Sequence, residues 1–184
     1  MQSARDWPNV FVAMVTIFLS ILVHELGHAL AARHFGQRPS IYFHGLGGLT
    51  VFQGASLGRW QHFATVAAGP VASLLLAGIF ICLIPLESLS PLMRPFILIG
   101  LWVNIVWTVL NCLPVLPLDG GQMLRDLLGA GRERLACTIG AVTAVVMGLA
   151  GLAFGFILLA VLMGFLAYSN YKGTTSLQGG VMRQ

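Results

Sequence analysis

Five apolar runs, residues 10–32, 63–86, 96–116, 135–149 and 152–167, are separated by two long connections, 33–62 and 117–134, and two short ones. A hydrocarbon layer about 30 Å thick needs about 20 helical residues to cross it, so the first three runs read directly as spans and the last two are short. Gly148, Gly151 and Gly155 favour a tight turn between those two, because one helix over 135–168 would hold 34 residues and run about 51 Å at 1.5 Å per residue. Between the first two runs, Ser40-Ile41-Tyr42-Phe43 and Leu49-Thr50-Val51-Phe52 flank His44-Gly45-Leu46-Gly47-Gly48, the pattern of two strands around a glycine turn. The prediction is an all-α polytopic membrane protein of about five transmembrane helices, with a short membrane-associated β-hairpin between the first two. Residues 1–169 form its membrane domain, and 170–184, with several Gly, Ser and Thr residues, is expected to be a flexible tail.

Composition sharpens this picture. The chain is 57% hydrophobic and 9% charged, against roughly 25% charged in soluble domains. An ionised side chain in such a setting is a functional candidate by default, which singles out Glu25 and Asp119. Five alternating spans put Arg33, Arg38, Arg59, Arg125, Arg132, Arg134, Lys172 and Arg183 on one side and Arg5 and Arg94 on the other. The excess of basic residues on the cytoplasmic side then sets the N terminus outside and the tail in the cytoplasm. The net charge of +4 serves orientation and lipid headgroups, and no nucleic-acid partner is expected. Cys82, Cys112 and Cys137 show no C-x-x-C spacing and read as small apolar fillers. Residues 10–23 have the look of a signal-peptide core, but a cut at Ala29-Leu30-Ala31 would discard the histidines described next, so the segment is read as a retained span.

His24-Glu25-Leu26-Gly27-His28 lies inside the first run. On a helix the two histidines are one turn apart on one face and can share a cation, while Glu25, about 100° around, can reach water at that cation instead. Counting back from His34 sets His24 about 15 Å below the cytoplasmic surface. A catalytic zinc takes three protein ligands, so another segment must supply one. Asp119 is the best candidate. It follows Asn111-Cys112-Leu113-Pro114-Val115-Leu116-Pro117-Leu118 and precedes Gly120-Gly121, where prolines interrupt the helix and glycines permit close backbone approach. A cap for a helix starting near Gly121 is its other reading. His34 and His62 read as interfacial, His44 as a turn residue or a contact to substrate or metal, and Gly69, Ala72 and Ser73 as a small surface for helix packing.

In this order and with this membrane spacing, the segments resemble the site-2 protease family of intramembrane zinc metalloproteases, M50-like. His24 to His28 is similar to its zinc motif, Asn111 to Gly121 to its Asn-Pro and Leu-Asp-Gly region, and Ala68-Gly69-Pro70-Val71-Ala72-Ser73 to the small-residue motif of the intervening span; the likeness covers about 10–128. The resemblance implies Zn2+ held by His24, His28 and Asp119, with Glu25 as the general base activating water at the metal. It implies hydrolysis of peptide bonds within or near the transmembrane segments of membrane-protein substrates already shortened by another protease, close to the cytoplasmic face. The family usually has asparagine where this chain has Ser73, a position of substrate or transition-state contact, and Asn104 and Asn111 are the alternative donors. The chain leaves no room for a PDZ or CBS domain, so a compact form is expected, and compactness with the resemblance points to a bacterial cytoplasmic membrane.

An open hairpin edge is suited to receive an extended substrate by strand addition. Membrane lipids are the other expected partner, and glycine-rich faces in the last two spans leave a homo-oligomer or a regulatory membrane partner open. The rival readings are a noncatalytic membrane-binding or scaffold protein of the same fold, and a divalent-metal transporter, which calls for polar sites chained along several spans.

Overall fold

A computed structural model of the protein describes residues 7–44, 47–54 and 56–181; the side chains of 42–49, 52, 89 and 175–181 fall outside that description. The chain forms two compact units, residues 1–57 with 67–109, and residues 58–66 with 110–184. Among the described residues, four stretches are long and apolar enough to cross a membrane: Trp7–His34, Arg59–Ser88, Met93–Asn111 and Glu133–Ala153.

In the first unit, helix α1 spans Trp7–His34. Its buried positions include Thr16, Ser20, His24, His28 and Ala32, a stripe of small and polar side chains four residues apart that occupies one helix face. Phe11, Met14, Phe18 and Leu30 are exposed on the remainder. Polar inside and large apolar outside is the arrangement expected where the solvent is lipid. Strands β1 (Arg38–His44) and β2 (Gly47–Gln53) pair antiparallel, with Ile41 opposite Thr50 and His44 opposite Gly47. The expected hairpin is therefore present, and both strands pack on α1. Its turn at Gly45 and Leu46 lies outside the described residues.

Helix α2 (Arg59–Leu83) carries Pro70 in its interior and so lacks one rung of its hydrogen-bond ladder. A short 3-10 turn, Ile84–Leu89, follows, and α3 (Met93–Asn111) ends the unit apart from its last two residues. The small-residue surface expected near Gly69 is used for packing. At Gly27 of α1 a methyl group would stand 2.4 Å from the Ala68 carbonyl oxygen and 2.9 Å from Ala72 Cβ, so this crossing tolerates no side chain at 27.

The second unit holds α4 (Asp119–Leu128), α5 (Glu133–Ala153) and α6 (Ile157–Val181). Helices α5 and α6 form an antiparallel pair closed by a turn in which Gly155 has φ of 77°, a conformation that suits glycine. The turn expected from the glycines is present, but Gly148 and Gly151 serve another purpose. They lie within α5 and let it approach Met163 and Ala160 of α6, at 3.5 and 3.2 Å from where a Cβ would be. The fifth apolar run, placed at 152–167 from the sequence, belongs to α6 from Ile157 onward. Ser169, Asn170 and Lys172 cut its apolar part to about 12 residues, or about 18 Å of helix, so it falls short of the other four. Helix α6 continues to Val181, through most of the stretch expected as an open tail. Val115, Ala144, Met163 and Leu166 form the apolar core of this unit. The three cysteines are unpaired, and Cys137 packs beside Gly173 as a small filler should.

Candidate metal centre

Helical periodicity alone brings His24 and His28 together. Their Nε2 atoms are 3.2 Å apart, and the rings meet edge to face, with centroids 4.8 Å apart and planes at 86°. Two bare imidazole lone pairs aimed at each other repel unless a proton or a cation lies between them. Two nitrogens bound to one tetrahedral zinc at about 2.0–2.1 Å are separated by about 3.3 Å, so the pair has the spacing of two ligands on a common ion.

Two features of α2 hold this pair. Ser73 Oγ lies 3.0 Å from His24 Nδ1. A hydroxyl accepting from Nδ1–H selects the tautomer whose lone pair is on Nε2, the nitrogen that faces His28. Gly69 lies against the other imidazole, where a Cβ would sit 2.2 Å from His28 Nε2. The small-residue motif therefore makes room for one imidazole and orients the other, and the pair fits two positions of a zinc donor set. Ser73, expected to touch substrate or transition state, is found touching a histidine.

Glu25 is also buried, and its carboxylate has a partner that the sequence reading missed. Thr50 of β2 donates its hydroxyl to Glu25 Oε2 at 2.6 Å. The β-branched alternation around Thr50 announced a strand, and nothing in it pointed to Glu25. Asn104 is fully buried on α3 and donates through Nδ2 to Ser20 Oγ at 2.9 Å and to the Gly100 carbonyl at 2.7 Å. Ser20 lies one turn before His24 on the same stripe, so Asn104 braces the face of α1 that carries the histidines. Its Oδ1 has no hydrogen-bond partner among the described residues. The side chain of His44 is outside the described set, although its backbone ends β1.

Asp119 belongs to the second unit and is the first residue of α4. The residue before it, Leu118, makes no side-chain capping bond, and Asp119 stands inside the helix rather than as its cap, where the partial positive charge of a helix start favours a carboxylate. The path into it is irregular. Asn111 closes α3, the backbone turns through Val115 N–H to Leu113 C=O and Leu118 N–H to Val115 C=O, and the Leu116–Pro117 peptide is cis. A Cβ on Gly120 would fall 2.1 Å from the Cys112 carbonyl oxygen, and one on Gly121 would fall 2.4 Å from the Val115 carbonyl carbon. The two glycines let the helix start tuck under the turn that precedes it.

Asn170 fastens that turn from α6. Its Nδ2 donates to the Leu116 carbonyl at 2.7 Å and to the Leu166 carbonyl at 2.8 Å, and its Oδ1 accepts from Leu116 N–H at 3.3 Å. Gly140 leaves the space this amide needs, since a Cβ there would overlap Asn170 Oδ1. At the far end of α4, Arg59 donates through Nε to the Asp126 carbonyl and through Nη2 to the Leu127 carbonyl at 2.5 Å. His62 Nδ1 and Asp126 Oδ2 lie 2.5 Å apart, so His62, expected at an interface, is engaged with a carboxylate. The only sequence signal for these contacts was polarity at the ends of apolar runs.

Among known proteins, the chain is similar to "Putative zinc metalloprotease sll0528" of Synechocystis, with 34% identity over 132 residues, covering 70% of this chain and 34% of that protein. It is similar to "Putative zinc metalloprotease Rip3" of Mycobacterium tuberculosis, with 31% identity over 170 residues, covering 84% of this chain and 42% of that protein. It thus spans about a third to two fifths of the length of these relatives. The solved structure of the site-2 protease from Methanocaldococcus jannaschii shares the fold, with a TM-score of 0.62 at 24% identity over 89% of this chain and 77% of the other. The sequence model of the Peptidase M50B-like family matches residues 6–118. That match takes in the histidine pair, the small-residue motif and the turn into Asp119, and the chain belongs to the Peptidase M50B-like family.

Proposed function

We propose that this chain is the catalytic core of an intramembrane zinc metalloprotease that hydrolyses peptide bonds within or beside membrane-spanning segments of its substrates. The observation that carries the reading is the convergence of His24 and His28 Nε2 at 3.2 Å on a buried helix face, with Glu25 next to them in sequence. His24, His28 and Asp119 are the proposed ligands of zinc. The chemistry that zinc supplies at such a centre is polarisation of a carbonyl and acidification of water. Glu25 takes the proton from the attacking water and returns it to the leaving amine nitrogen. Ser73 keeps His24 in the tautomer that ligates, and Asn104 braces the helix one turn away. Burial keeps bulk water from the carboxylate, which strengthens its interactions with the reacting groups.

A helical substrate must unwind before attack, because its carbonyls are bonded within the helix. The edges of the β1–β2 hairpin offer strand pairing to the opened segment. The distribution of basic residues supports an N terminus outside, with the active centre toward the cytoplasmic side of a bacterial cell membrane. The chain's likeness to curated proteins named as zinc metalloproteases supports both the metal and the reaction.

The test is zinc content and cleavage in detergent-purified protein. About one zinc per chain, lost together with cleavage of a transmembrane reporter in the His24→Ala, His28→Ala, Asp119→Ala variant, is expected. Equal zinc in parent and folded variant overturns the ligand set. Zinc without cleavage favours the scaffold reading.

A further inference from the structure

We propose that Thr50 is a positioning residue for Glu25: its hydroxyl ties the β-hairpin to the proposed catalytic base, so that the strand expected to meet substrate also sets the orientation of the carboxylate. This inference rests on the metalloprotease reading and deepens it. The contact is specific in its chemistry. The Oγ1 to Oε2 distance of 2.6 Å lies in the range of charge-assisted O–H···O⁻ bonds, 2.5–2.7 Å, which are roughly twice as strong as neutral ones. The same hydroxyl lies 3.5 Å from the Glu25 backbone carbonyl, so it stands against the one residue at both its main chain and its side chain.

The placement follows from strand geometry. Successive side chains of β2 alternate between faces; Val51 is exposed, whereas Thr50 turns toward α1 and bonds to it. Thr50 stands opposite Ile41, whose side chain cannot make such a bond. Thr50 is thus the hairpin's polar attachment to the functional face of α1 among the side chains described. An anchored Oε2 limits rotation of the carboxylate and leaves Oε1 to accept a proton from water. Displacement of β2 by an incoming strand would reach the carboxylate through this bond. An isolated two-stranded ribbon is marginally stable, so its packing on α1 together with this bond fixes its position on the helix.

Two readouts test the proposal. On resting protein without substrate, hydrogen exchange of the β2 amides is expected to rise about 10-fold in Thr50→Val, to rise similarly in Glu25→Ala, and to rise no further in the double variant. In turnover, Thr50→Val, which keeps the shape and removes the hydroxyl, is expected to lower kcat about 10-fold with KM unchanged, and Thr50→Ser is expected to restore most of the rate. Additive exchange effects, or Thr50→Val at the parent kcat, overturn the role of Thr50 and leave the metalloprotease reading intact. A parent protein that holds zinc but cleaves no peptide overturns both.

Discussion

The histidine pair and the turn into Asp119, both proposed to serve one metal, are built by opposite means. On α1 the two imidazoles converge because a regular helix returns to the same face every four residues, and α2 needs only to leave room at Gly69 and orient one ring through Ser73. Around Asp119 the backbone is irregular from 112 to 118, and its course is fixed from elsewhere: by the Asn170 amide on Leu116 and by glycines at 120, 121 and 140 that permit contacts under 2.5 Å from a would-be Cβ. A ligand on a helix inherits its position from local geometry. A side chain at a helix start reached through an irregular turn needs distant partners, and its accuracy depends on them. Irregular backbone leaves N–H and C=O groups that need partners, and Asn170 supplies them at Leu116.

The largest expected effect lies within α1 and separates chemistry from metal binding. Glu25→Gln should lower turnover about 1,000-fold with zinc affinity close to the parent value, measured by chelator competition alongside reporter cleavage; loss of zinc instead would make Glu25 a ligand. Next, Gly69→Ala places a methyl 2.2 Å from His28 Nε2 and should weaken zinc about 100-fold. Parent-like affinity would show that the nitrogens facing each other are not the metal site. Ser73→Ala removes the partner of His24 Nδ1 and should cost about 10-fold in zinc affinity, with Ser73→Asn recovering part of it.

The other side of the comparison is probed through stability. Asn170→Ala leaves the Leu116 amide and carbonyl without their side-chain partner and should lower unfolding stability in detergent by about 1–3 kcal/mol, a larger loss than that of Ser73→Ala. If both variants lose stability equally, the contrast between a self-supporting helix and a turn held from outside fails. Arg59→Ala should have the smallest effect, about 1 kcal/mol, because the C-terminal carbonyls of α4 that it binds have partial access to water; thermal unfolding would read it.

Several elements were legible from residue order. The spans at α1, α2, α3 and α5, the hairpin, the turn between α5 and α6 and the histidine pair all follow from periodicity, β-branched runs and glycine placement. The count of five comparable spans was less secure, because hydropathy does not show that Asn170 and its neighbours continue a helix; a buried Asn bonded to backbone costs little to keep in a helix, while the same residue read alone suggests an open tail.

The sequence by itself determined which residues can do the chemistry, since H-E-x-x-H on a helix brings two nitrogens to one face and sets the carboxylate beside them whatever surrounds the helix. Tertiary structure alone decided what each of those groups touches: Ser73 on His24, Gly69 against His28, Thr50 on Glu25, and Asn170 on the turn before Asp119. The partners lie 25 to 54 positions away, and no local pattern encodes them. Such contacts are fixed by helix crossings and strand register, which depend on how whole faces pack.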